Sequence, residues 1–192
     1  MKALPRIAIF ASGNGSNAQR IAEYFRNGDI LEISAIYCNN PKAFVLERAE
    51  KLGIPSVLFN RTTFFETEDV LTDLENRKTD WIVLAGFLWL IPGYLLESFP
   101  NRIINIHPAL LPKYGGKGMY GAKVHEAVIA SGEKESGISI HYVNANYDEG
   151  QIIFQAKFTL SKDESVSSLA EKVHLLEYEH YPKVICDLVS NR

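Results

Sequence analysis

The chain has 192 residues, 46% of them hydrophobic and 22% charged, and its 20 basic against 23 acidic side chains leave a formal charge of −3. A charged fraction near the ~25% of ordinary globular proteins excludes a disordered chain, and at ~100–200 residues per domain the length suits a single domain over 1–192. The balance of charge argues against duplex nucleic acid as the main partner, because neutralising phosphates takes a concentrated basic surface; a small anionic substrate needs only one local site. Cys38 and Cys186 lie far apart in no metal or redox spacing, which points to a reduced, intracellular protein. The opening Met1–Arg6 turns charged before any long apolar stretch, and no run approaches the ~18 apolar residues of a membrane span. A cytoplasmic protein without a membrane partner is expected.

In chain order, Arg6–Ala11 reads as a buried strand, followed by the turn Ser12-Gly13-Asn14-Gly15-Ser16-Asn17. Ala18, Ile21, Ala22 and Phe25 then repeat at helical spacing. Ile33–Cys38 is a second strand, Ala43–Leu52 a helix closed by Gly53 and Pro55, and Ser56–Phe59 a third strand. Thr63 with Glu66 three residues on forms a capping-box signature that opens a helix to about Lys78. Trp81–Ala85 is a fourth strand stopped by Gly86, and Ile103–Ile106 a fifth that runs into His107-Pro108. A helix over Ala122–Ala130 follows, then strands Gly137–Val143 and Gln151–Thr159 around the turn Asn146–Gly150. A last helix spans Val166–Val189, with Pro182 predicting a kink or break. Strand–helix alternation over the first ~110 residues implies an α/β fold with a doubly wound, mostly parallel sheet, ending in antiparallel C-terminal strands. Ligands of such sheets bind outside the carboxyl ends of the strands.

Three places there carry chemistry. The glycines of Ser12–Asn17 let a ligand approach the backbone, and the following helix start offers free N–H groups to an anion. Gly13 to Ala18 satisfies G-x-G-x-x-A, yet the second strand ends Cys38-Asn39-Asn40 without the acidic residue that a dinucleotide's ribose requires. No Gly-Lys-Ser/Thr follows either, so a phosphate monoester is favoured over a nicotinamide cofactor or a P-loop nucleotide. Asn105 and His107, two apart on a strand, share one face at the ligand edge. The five histidines include no metal-binding pair at i, i+4, so no metal is expected; the chemistry on offer is hydrogen bonding and proton transfer at a carbonyl. Asp148 lies in a polar turn, where a solvated aspartate is the plain reading and a place beside His107 the functional one.

Together, Ser12–Asn17, Leu84-Ala85-Gly86-Phe87, Asn105–Pro112 and Asp148-Glu149-Gly150 resemble the folate-dependent formyltransferases, specifically the branch that acts on glycinamide ribonucleotide. The resemblance implies a Rossmann-like formyltransferase fold and the transfer of a formyl group from 10-formyltetrahydrofolate, as co-substrate, to the amine of glycinamide ribonucleotide. It implies that Asn105 and protonated His107 stabilise the oxyanion of a tetrahedral intermediate, with Asp148 orienting His107 and favouring its charged form. Gly15, Ser16 and Asn17 match residues that hold the substrate phosphate, and Glu177 matches the acid that meets the glycinamide end. Leu88, Trp89, Leu90 and Ile91 match the pterin-pocket segment, and Asn144–Asp148 the loop that closes on the folate. Relatives often carry Met-Arg where this chain has Leu88-Trp89, and an arginine that meets the folate tail aligns with Thr67. A hydrolase relative carries a regulatory domain in front and a transfer-RNA-modifying one a basic domain behind; neither fits this length and charge. A monomer or homodimer is expected.

Overall fold

The computed structural model describes residues 3–27 and 29–190; Met1 and Lys2 of the opening segment, Gly28, and Asn191 and Arg192 at the end of the expected domain lie outside them. Seven strands, β1 (Arg6–Ala11), β2 (Glu32–Cys38), β3 (Ser56–Leu58), β4 (Trp81–Leu84), β5 (Ile103–His107), β6 (Glu135–Tyr142) and β7 (Ile152–Thr159), form one sheet in the order β3-β2-β1-β4-β5-β6-β7. Neighbours from β3 to β5 pair in parallel, and β6 and β7 join antiparallel. The strand order therefore reverses between β1 and β4, where a doubly wound sheet opens a crevice at its carboxyl edge.

The helices are α1 (Ser16–Tyr24), α2 (Val45–Leu52), α3 (Arg61–Phe65), α4 (Asp69–Asn76), α5 (Gly93–Ser98), α6 (Ala122–Ala130) and α7 (Val166–Ser190). β1 is buried on both faces because both are covered. Ile7, Ile9 and Ala11 pack with α1, α2, α6 and α7, while Ala8 and Phe10 face the side of α3, α4 and α5. This explains why β1 reads as a continuous apolar run and not as an alternation. On the second face, Phe10, Tyr37, Phe59, Phe64 and Phe87 form a contiguous aromatic cluster.

Two expectations need correction. The helix predicted from Thr63 to Lys78 is two helices, and its capping box lies one turn earlier. Extended Asn60 is the cap, its side chain accepting the Thr63 N–H at 3.0 Å while the Thr63 hydroxyl accepts the Asn60 N–H at 3.0 Å. Thr63 thus stands inside α3, and Glu66 ends that helix instead of completing a box. Nor does Pro182 break α7, which runs from Val166 to Ser190. Proline removes the N–H that would meet the Tyr178 carbonyl, and Arg20 of α1 supplies a donor to that carbonyl at 3.3 Å. The six-residue α5, entered from Pro92, was not anticipated.

Candidate active site

The antiparallel pairing of β5 with β6 builds the centre of the site. Asn105 stands opposite His141 and His107 opposite Ser139. Directly opposed residues point to one face, so four polar side chains share a surface whose reverse carries Ile104, Ile106, Ile138 and Ile140 in the core. The loop after β5 folds over this surface. Ser139 Oγ accepts the Leu111 N–H at 2.9 Å and donates to the Ala109 carbonyl at 2.7 Å, while Gln155 Nε2 donates to Ser139 Oγ at 2.7 Å and the Leu111 carbonyl at 3.1 Å.

Asp148 is brought in by the turn between β6 and β7. Its carboxylate lies 3.5 Å from His107 Nδ1 and 3.6 Å from His141 Nε2, and accepts the Gly116 N–H at 3.0 Å. Asn105 Nδ2 donates to His141 Nε2 at 3.1 Å and, at a long 3.4 Å, to Asp148. His141 Nδ1 donates to the Tyr142 carbonyl at 2.8 Å, which leaves Nε2 free to accept from Asn105. His107 Nε2 donates to the Tyr114 carbonyl at 2.7 Å. Both nitrogens of His107 therefore face acceptors, a pattern that only the imidazolium satisfies in full. Burial nevertheless lowers the His107 pKa below its ordinary value, and the raising effects of the Asp148 charge and the Tyr114 carbonyl offset only part of that. Burial also opposes ionisation of Asp148, but the adjoining His141 ring, the His107 charge and the Gly116 N–H outweigh it and hold the carboxyl below its usual range. The backbone of Tyr114–Gly116 thus grips both members of the pair. A Cβ at Gly115 would sit 2.6 Å from Leu111 Cδ2 and 3.2 Å from Asp148 Cβ.

The Ser12–Asn17 loop leads into α1, whose cap residue Gly15 offers no side chain to the first-turn N–H groups. These amides are left for an external anion. Arg48 of α2 braces the loop, its Nε and Nη2 donating to the carbonyl and side chain of Asn14 at 2.9 and 2.7 Å. Gly15 has a φ of 75°, and a Cβ there would overlap the Val45 side chain. Gly15→Ala is expected to destabilise the fold by about 2–4 kcal/mol, from the left-handed backbone and the overpacking together. Urea denaturation of the variant beside the wild-type protein checks this.

The side chain of Asn17 reaches α7: its Nδ2 donates to Glu177 Oε2 at 2.9 Å across 160 residues of sequence. His174 Nδ1 donates to the same oxygen at 2.9 Å, and that bond raises the His174 pKa. Glu177 is 4% exposed. It occupies the buried stripe Leu169, Val173, Glu177, Tyr181, Ile185, Val189, spaced four apart along α7. A carboxylate on an otherwise core-facing stripe is a sequence signal for a site.

These parts meet in one cleft of about 760 Å³, bordered by Gly13–Asn17, Ala85–Leu88, Asn105–Pro108, Asp148 and the Glu177 face of α7. Of the Leu88–Ile91 segment, Leu88 borders this cleft and is 47% exposed, Trp89 packs into the aromatic cluster against Phe59, Phe64 and Phe87, and Ile91 is buried in the core below. Leu90 is half-buried, and Asn144 is exposed, its side chain accepting the Asn146 N–H at 3.0 Å. Neither borders the cleft. Sequence reasoning did not single out His141, the Tyr114 carbonyl or the Gly116 amide. His141 was findable from the alternation Ile138-Ser139-Ile140-His141, with two polar residues on one face of a strand. Cys38 and Cys186 are free thiols. Among the described residues, no cluster of His, Cys, Asp or Glu is arranged to hold a metal ion, and no helix is long and apolar enough to cross a membrane.

A doubly wound sheet with a glycine-rich loop after its first strand, and an Asn-x-His strand end meeting a distant Asp, defines a class. Residues 5–185 match the formyl transferase family model, and the chain belongs to that family. It is 36% identical over 193 residues to the chloroplastic phosphoribosylglycinamide formyltransferase of Arabidopsis thaliana, covering 97% of this chain and 66% of that protein, slightly under two thirds of its length. It is 34% identical to the phosphoribosylglycinamide formyltransferase of Bacillus subtilis, covering 97% of this chain and 96% of that one. The crystal structure of phosphoribosylglycinamide formyltransferase from Streptococcus pneumoniae superposes with a TM-score of 0.84 at 34% identity, covering 96% of this chain and 99% of that one.

Proposed function

We propose that the chain transfers the formyl group of 10-formyltetrahydrofolate to the primary amine of glycinamide ribonucleotide, a step of purine biosynthesis. The observation that carries this reading is the convergence, in one cleft, of an anion-ready helix start, a buried carboxylate and the Asn105–His107–Asp148 group. The loop at Gly15, Ser16 and Asn17 holds the phosphate, and Glu177 meets the glycinamide end. Their link through Asn17 sets the spacing between the two. The amine attacks the formyl carbon, and the carbonyl oxygen gains charge as the tetrahedral intermediate forms. Asn105 meets that oxygen with the N–H now spent on the long bond to Asp148, and His107 meets it with Nδ1–H, which stands 3.5 Å from Asp148, while its Nε2–H stays on the Tyr114 carbonyl. Donors preorganised in a buried site stabilise such charge far more than water does. As the bond between the formyl carbon and the folate nitrogen breaks, His107 passes a proton to that nitrogen and is restored by the proton that the attacking amine gives up. Asp148, ionised and fixed by the Gly116 amide, keeps the imidazole oriented and favours its charged form. Leu88 supports the folate from the cleft wall, with the 144–148 turn beside it; Trp89, Leu90 and Ile91 act from beneath. The same reading takes residues 1–192 as one cytoplasmic formyltransferase domain, a monomer or homodimer, acting on two small molecules without metal or nucleic acid.

The test is to incubate the protein with 10-formyltetrahydrofolate, with and without glycinamide ribonucleotide, and follow release of the free folate by absorbance. Release that requires the ribonucleotide is expected. Release without it would mean a hydrolase, and no release in either case removes the enzymatic reading.

A further inference from the structure

The cleft wall holds one titratable side chain that the mechanism above leaves unused. His125 is the fourth residue of α6, is 5% exposed and borders the cleft beside Tyr120, Gly121 and Ala122. Its Nδ1 is buried without a hydrogen-bond partner among the described residues. Every other histidine that borders this cleft is engaged: His107 holds the Tyr114 carbonyl, and His174 holds Glu177. Buried polar atoms are normally paired, and an orphan calls for a partner supplied from outside the chain.

We propose that His125 is a substrate-binding residue, hydrogen-bonding a neutral polar group of the ribonucleotide, a sugar hydroxyl or the amide, from the wall of the cleft that it shares with the Ser12–Asn17 loop and His107. This assignment rests on the function proposed above. The lining of the cleft gives the location: His125 borders it together with Glu177, His174 and His107, and these are the titratable groups whose charges act on its ring. Chemistry gives the kind of group. Burial lowers the pKa of His125, and its place in the first turns of α6, at the positive end of the helix dipole, disfavours the imidazolium further. A neutral imidazole carries one donor and one acceptor, which suits a hydroxyl or an amide and not a phosphate dianion. The anion has its own site at the start of α1. A ring on this wall would then read a part of the ligand that neither the phosphate loop nor the formyl chemistry inspects.

The variants His125→Phe, which keeps a ring without hydrogen-bonding nitrogens, and His125→Gln, which keeps a donor and an acceptor, test this in the assay above. For His125→Phe the KM for glycinamide ribonucleotide is expected to rise about tenfold, the loss of roughly one hydrogen bond. Its kcat and its KM for 10-formyltetrahydrofolate should change by less than about threefold, and His125→Gln should recover much of the loss. In the wild-type protein, the ¹⁵N signals of the His125 ring should move when the ribonucleotide is added and stay fixed with the folate alone, a measurement that does not depend on how the variants fold. A ribonucleotide KM unchanged in both variants, or ring signals that ignore the ribonucleotide, overturns the assignment while leaving the proposed activity standing. A wild-type protein that does not turn over the ribonucleotide removes both.

Discussion

Replacing Asn105 with alanine should lower kcat for formyl transfer by roughly 10²–10³, the usual loss when one preorganised donor to a developing oxyanion is removed. The reason lies in the position of Nδ2. It sits between His141 Nε2 at 3.1 Å and Asp148 Oδ1 at 3.4 Å, on a strand end and half-buried. One N–H is well occupied and the other is held weakly, so the weak one is free to turn to a better acceptor when negative charge appears in front of it. Substrate binding uses groups elsewhere in the cleft, so the KM for the ribonucleotide should change little. The fold should survive too, because the reverse face of β5 remains packed through Ile104 and Ile106. Steady-state kinetics with both substrates decide the matter, and a proportionate rise in KM with unchanged kcat would move Asn105 from the chemistry to simple binding.

Asp148→Asn is the second large effect, and its signature is a shift along the pH axis as well as a loss of rate. The carboxylate raises the His107 pKa against the lowering effect of burial. Removing that charge lets the His107 pKa fall further, so a smaller fraction of the imidazole is protonated at any pH above it. If transfer needs the protonated ring, kcat/KM declines as pH rises through the His107 pKa, and in the variant this decline starts at lower pH. The rate at neutral pH should drop by roughly 10²–10⁴, the range for a disabled acid–base group. Proton NMR titration of the His107 ring in both proteins checks the direction independently of turnover. A His107 titration that is unmoved, or moved upward, would show that Asp148 does not act through the imidazole.

Much of this site was legible because chemistry at strand ends leaves local marks. Asn105 and His107 fall on one face by the two-residue period, and a proline after His107 ends the ladder where the strand meets the cleft. The glycine turn before α1 is equally local. Glu177 entered only through the resemblance, although the apolar stripe around it, read over a longer window, marks it as buried. What stayed hidden depends on pairings between distant segments. The partnership of β5 with β6 aligns Asn105 with His141, and no spacing within either strand reports which strand lies alongside. Asp148 is a polar turn residue by every local rule, and only the fold sets it against His107. The contributions of Tyr114 and Gly116 are made by backbone atoms, so their side chains carry no sign of them. The error at α3 was of another kind: Asn60 and Thr63 both have cap chemistry, and the extended backbone at Asn60 decides between them.

Tyr181 gives α7 a fixed zero point. Its buried hydroxyl donates to the carbonyl of Leu84 at 2.9 Å and lies 3.4 Å from that of Ile104, which ties one point on the helix to the carboxyl end of β4 and to neighbouring β5. Glu177 lies one turn before that tie and His174 one further turn back, so α7 works as a ruler with its origin at the sheet and its graduations over the cleft. At ~1.5 Å and ~100° per residue, a single residue inserted between Glu177 and Tyr181 would keep the origin but swing the carboxylate about a quarter-turn away from Asn17. A change of length is therefore costly within the three residues, Tyr178 to His180, that separate the anchor from the carboxylate it places.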